Sequence, residues 1–165
     1  MTAGMFNTAI SLFDRIEDAF SRIPHTLIAL VGRIAIAGTF WKSGQTKVQG
    51  FALDLFEGRL ELGWPRFADS TVDLFRDEYK LPLLPPEFAA LAATLAEHFF
   101  PVLILIGLAT RLSAAALLVM TLVIQIFVYP SAWAIHGTWA AVLLWLMSGG
   151  AGTISVDHML RRRFS

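Results

Sequence analysis

Four apolar runs make up about half of this 165-residue chain, and each is about long enough to cross a bilayer. They cover about 26–43, 87–108, 112–129 and 133–154. A run of roughly 18–22 residues rises about 30 Å as a helix, the thickness of a hydrocarbon core. The hydrophobic share of 56 % and mean hydropathy of +0.62 are high for a soluble domain of this size. The expected fold is therefore all-α: an integral membrane four-helix bundle, forming one domain over residues 1–165. Residues 107–111 form a tight turn, which makes the second and third runs antiparallel neighbours.

Two further segments frame the spans. Residues 4–23 read as an amphipathic helix, with Leu12, Phe13, Ile16, Ala19, Phe20 and Ile23 against Asn7, Ser11, Asp14, Asp18 and Arg22. This helix is expected either in the membrane interface or docked on the protein. Residues 44–86 form the only long connection. Gly50, Gly58, Gly63 and Pro65 interrupt its first half, and Val72, Phe75 and Tyr79 share a helical face in its second. We expect one or two short helices there, over the mouth of the bundle.

Charge and composition exclude several functions. Thirteen basic and thirteen acidic residues balance, so no basic excess points to nucleic acid. The absence of cysteine excludes disulfides, thiolate catalysis and cysteine-ligated iron–sulfur clusters in this chain. No basic leader precedes an apolar run, and Asp14, Glu17 and Asp18 interrupt the first twenty residues, so no cleavable signal peptide is expected. Basic residues in the connections tie at six against six. Arg111 and the Arg161–Arg163 cluster, both close to spans, favour both termini on the cytoplasmic side.

Ionisable residues at membrane depth mark the interesting positions, because each costs on the order of 3 kcal/mol on insertion scales. Arg33 lies inside the first span, and Glu97 and His98 lie inside the second. With the inner ends of the two helices level, Arg33 and Glu97 reach similar depth, and an ion pair is expected. The pair either fixes helix register or, with His98 titrating, forms a proton or substrate site. Lys42, Gln125, Trp133 and His136 gather toward the opposite side and define an expected ligand pocket. Trp and interfacial His also collect at membrane surfaces for reasons of their own. His98, His136 and Glu97 lack metal-ligand spacing, so no metal is expected. Ser148, Gly149, Gly150 and Gly152 read as helix packing, with Ser148 and Gly152 as a small-xxx-small pair.

Three motifs in order resemble the DoxX family of small four-span bacterial membrane proteins. The first is Arg33, Gly38 and Lys42–Ser43–Gly44–Gln45–Thr46–Lys47. The second is Glu97 with Gly107–Leu108–Ala109–Thr110–Arg111–Leu112. The third is Gly149–Gly150–Ala151–Gly152–Thr153–Ile154–Ser155–Val156–Asp157, similar to the family's Gly-x-Gly-x-x-Ser-x-Asp ending. The resemblance implies a multi-pass protein of the bacterial inner membrane. Some relatives are linked to thiosulfate:quinone oxidoreduction and others to redox-stress complexes. It thus implies a redox-associated subunit binding a quinone-like molecule or docking an oxidoreductase, with the lipid bilayer, a protein partner or a second copy as its contacts. The alternative is a small transporter or membrane accessory protein with an Arg/Glu/His proton or ion relay.

Overall fold

The computed structural model describes residues 2–54 and 58–164, without the side chains of residues 2–9 and 11. Helix α1 (Thr2–Ser21) leads to a break at Pro24 and a 62° bend into α2 (His25–Gln45). A two-stranded antiparallel hairpin follows, β1 (Val48–Asp54) and β2 (Arg59–Phe67). A short turn of helix, α3 (Thr71–Asp73), runs into a π-helical stretch at Leu74–Tyr79. Next come α4 (Pro86–Ile106) and α5 (Thr110–Val123), which continues as a π-helical stretch to Val128. A 3-10 turn (Pro130–Ala132), α6 (Trp133–Gly149) and α7 (Val156–Phe164) complete the chain.

The helices α2, α4, α5 and α6 touch in a closed order, α2 on α4, α4 on α5, α5 on α6 and α6 on α2. Their shared interior holds Ala29, Ile36, Ala37, Phe40, Ile104, Ala114, Leu117, Leu143 and Leu146. Outside it, large apolar side chains face outward, among them Leu27, Val31, Ile34, Leu95, Phe99 and Val119. Buried and exposed faces are both apolar, as expected where lipid replaces water. Among the described residues, two helical segments are long and apolar enough to cross a membrane: Pro86–Ile106 with mean hydropathy 1.9, and Thr110–Val128 with 2.1. The bent α1–α2 pair supplies a third if it is one span. The chain is thus a predominantly helical membrane protein, and α6 has only 17 residues.

The all-α expectation needs one correction. The first half of the long connection is a β-hairpin, not a helix. Its register runs from Val48 opposite Phe67 to Asp54 opposite Arg59, with an irregularity between Gln49 and Phe51. Gly50 there has φ of +80°, and a Cβ on Gly63 would lie 2.4 Å from Gly50 O. Only glycine lets the backbones pass this closely. The glycines read as helix breakers in the sequence are therefore the seam of a sheet.

Helical residues 71–79 do cover the mouth of the helices. Phe75 packs on Ala89 and Ala90 of α4. Arg76 bonds both Asp73 and Glu87 at 2.9 Å. The Tyr129 hydroxyl donates to Glu78, which pushes the phenol well above its ordinary value, with desolvation adding to the shift. Helix α1 carries Ile10, Leu12, Phe13, Ile16 and Phe20 exposed.

Candidate functional site

The buried face of α2 reads Ala29, Arg33, Ile36, Ala37, Phe40, Gly44 and, in the turn just after the helix, Lys47. This spacing of three and four sets one stripe inward. Polar groups sit at its two ends and apolar ones in its middle. The two polar ends form separate centres.

At the hairpin end, Lys47 Nζ lies 2.7 Å from Glu97 Oε2, with both side chains only 4 % exposed. Lys47 also donates to Ser43 O and Ser43 Oγ at 3.1 and 3.2 Å, and Ser43 Oγ donates to Glu97 Oε1 at 3.0 Å. The triangle ties the ammonium to Ser43 through two hydrogen bonds and to Glu97 Oε2 as an ion pair, and Glu97 Oε1 to the Ser43 hydroxyl. That is the condition under which a buried ion pair is tolerated.

His98 stands beside it. Its Nδ1 lies 2.7 Å from Thr94 O, and its Nε2 lies 2.9 Å from Gln45 Nε2. Gln45 Oε1 accepts from Leu53 N at 2.8 Å, which fixes the amide so that its NH2 faces the imidazole. A carbonyl only accepts, so Nδ1 carries the ring proton and Nε2 accepts from Gln45. Trp41 packs edge-on to His98 at 5.1 Å and donates to Leu53 O at 2.8 Å. One residue of β1 is thus held at both backbone groups by α2, and the hairpin is seated on the polar centre. A cavity of about 580 Å³ opens on the hairpin, reaching Gln45, Gln49, Phe51, Arg59 and Trp64. One helical turn before His98, Thr94 Oγ1 is buried without a partner among the described residues.

Arg33 forms the second centre, at the opposite end, and this corrects the expected Arg33–Glu97 pair. Its guanidinium, 2 % exposed, donates to Ile104 O at 2.8 Å, Leu105 O at 2.5 Å, Ala151 O at 3.0 Å and Ile154 O at 2.7 Å. The physical reason is register. Gly44 lies directly against His98 and Glu97, where a Cβ would come within 2.8 Å of His98 Cε1 and 3.1 Å of Glu97 Cβ. Arg33 is eleven residues earlier, about 16 Å along the axis. It therefore meets the last turn of α4, whose carbonyls lack helical partners and attract a cation.

The rest of this knot is drawn from the motif residues. Asp157 accepts from Ala109 N and Thr110 N at 2.8 and 3.0 Å and so caps α5, while Asp157 N donates to Gly107 O at 2.8 Å. Gly107 has φ of +73°, and a Cβ there would lie 2.5 Å from Ser155 Cβ and 2.9 Å from Arg33 Cζ. Gly107→Ala is accordingly expected to cost about 1–3 kcal/mol through strain and overpacking. A melting temperature equal to wild type in detergent would contradict this.

The remaining sequence candidates separate. Gln125 Oε1 and His136 Nδ1 are 2.7 Å apart, with His136 only 5 % exposed. Trp133, by contrast, is 72 % exposed and Lys42 is exposed, so the four do not enclose a pocket together. Ser148 and Gly152 share no helix face, because α6 ends at Gly149 and Gly150 turns with φ of +78°. Gly149 and Gly152 instead admit His25 and Thr26 of α2. Sequence reasoning missed Lys47, counting it as a loop charge. Its spacing gave the signal, four residues after Ser43 and fourteen after Arg33 on the inward stripe. Among the described residues no group of His, Asp and Glu is arranged to hold a metal.

Apolar helices wrapped in outward-facing apolar side chains around an apolar core, with a buried charged centre toward each end, define a membrane protein. The DoxX family model matches residues 28–130. The chain belongs to the DoxX family. No curated protein matches it, and no solved structure does.

Proposed function

We propose that the chain is a four-span subunit of the bacterial inner membrane, with both termini cytoplasmic, that binds a planar, carbonyl-bearing, quinone-like molecule at its hairpin end in a redox-associated complex. The observation that carries this reading is the Lys47–Glu97–Ser43 triangle with His98 beside it, reaching the hairpin cavity through Gln45. A quinone needs hydrogen-bond donors at its oxygens and an aromatic or apolar surface at its face. The Gln45 and Gln49 amides supply donors and Phe51 and Trp64 supply surface in the cavity, with His98 and the Lys47–Glu97 pair behind Gln45. Helices α2, α4, α5 and α6 are the four spans, α6 lengthened by the preceding 3-10 turn, and α1 lies in the interface with its apolar stripe in lipid.

The transporter or relay reading needs a polar path between the two membrane faces. Ile36, Ala37 and Phe40 lie between Arg33 and Gly44 on the buried stripe of α2, packed in one apolar cluster with Leu117, Leu143 and Leu146. That apolar layer favours access from one side, hence binding rather than passage.

The test is quenching of tryptophan fluorescence by a short-chain quinone analogue in nanodiscs. Saturable quenching is expected, weakened roughly tenfold, equivalent to about 1.4 kcal/mol, in His98→Ala. Non-saturable quenching, or equal affinity in the variant, would reject the site. Proton flux through proteoliposomes of the purified chain would favour the relay instead.

A further inference from the structure

The end of the molecule opposite the hairpin carries a second, smaller cavity, of about 150 Å³, walled by Arg111, Gly150, Ala151, Asp157, His158 and Arg161. Two guanidinium groups and an imidazole converge there from the start of α5 and from α7. Neither Arg111 nor Arg161 has a hydrogen-bond or ionic partner among the described residues. The single acid in the wall, Asp157, is already engaged at both oxygens by Ala109 N and Thr110 N. Gly150 leaves the turn low enough for Arg111 to lie over it, with Arg111 Nε 3.5 Å from where a Cβ would be. The notch is therefore cationic, and of a size for one tetrahedral anion.

We propose that this notch binds the phosphate of an anionic phospholipid headgroup. The border of the notch argues for a lipid over a soluble anion. Leu112, Ile154, Met159 and Leu160 stand exposed beside it, next to the cationic groups. A headgroup phosphate between Arg111 and Arg161 places its acyl chains along this apolar border, and the guanidinium forks suit phosphate oxygens. The composition of α7 has the same sense, with apolar Met159, Leu160 and Phe164 flanking Arg161, Arg162 and Arg163. The site would anchor α7 and the Arg33 knot at one membrane surface. This inference rests on the four-span reading above but not on its ligand.

Native mass spectrometry of the purified full chain, titrated with phosphatidylglycerol or phosphatidylcholine, tests it. Preferential retention of one phosphatidylglycerol is expected in wild type and in Arg162→Gln/Arg163→Gln, whose side chains lie outside the notch. Arg111→Gln/Arg161→Gln removes the same number of charges and should lose that preference, by roughly tenfold or more in affinity. Equal retention in both double variants, or no preference in wild type, would overturn the proposal. So would displacement of phosphatidylglycerol by equimolar inorganic phosphate, which would make the notch a site for the free anion. A melting temperature for each variant within that of wild type keeps loss of binding distinct from loss of fold. Quinone quenching, read at the other end of the molecule, stands or falls separately.

Discussion

Arg33→Met is expected to be among the most damaging single changes in the chain, at a cost of about 3–5 kcal/mol. The reason is the number of groups that one guanidinium satisfies. Four carbonyls, Ile104 O, Leu105 O, Ala151 O and Ile154 O, accept from a guanidinium only 2 % exposed. Hydrogen bonds to a charged donor are worth about 1.5–3 kcal/mol each, and stranded buried carbonyls add their own penalty. Methionine fills the volume and removes a costly charge, which limits the loss to the range above. Arg33→Lys keeps the charge, but a single ammonium cannot reach along two separate segments, and it should recover less than half of the stability. The check is the melting temperature in detergent together with protease sensitivity of the segment after α6. An Arg33→Met protein that melts with wild type would show the knot to be dispensable.

The second large effect separates structure from function at the other centre. Lys47→Met leaves Glu97 as a lone carboxylate at 4 % exposure, and breaking a buried pair from one side costs about 3–5 kcal/mol. Removing both charges, as Lys47→Met with Glu97→Leu, replaces the pair by apolar groups of similar volume. That exchange is often neutral or stabilising, so the double variant should recover most of the melting temperature. It should nonetheless fail to show saturable quinone quenching. Additive losses in the double variant would disprove the coupling. Full stability with unchanged quenching would make the pair a passive strut.

The apolar helices and the burial of Arg33 and Glu97 were legible in the sequence. Apolar runs of bilayer length leave a chain few alternatives, because backbone groups in lipid must be satisfied within a helix. The same reasoning marked Arg33, Glu97 and His98, since charge at membrane depth is too costly to be incidental. The motif residues were also visible as a set. Arg33, Gly107 and Asp157, far apart in sequence, now form a single knot.

The partners of those charges were decided by tertiary structure. Sequence gives the depth of a residue along its own helix, but it does not give how far one helix slides along another. Gly44 settles that slide by letting α2 come close to Glu97 and His98, and a slide of a few residues moves Arg33 from a carboxylate to the end of α4. The β-hairpin has a similar cause. β2 exposes every residue and β1 is half-buried along most of its length, so the period-two alternation that marks a strand with one buried face is missing from both. Pairing between the strands and the hold of Trp41 and Gln45 on Leu53 define it instead. Composition and period therefore determined that this is a membrane protein and which residues are polar inside it. Helix register, a property of contacts between distant segments, determined what those residues hold.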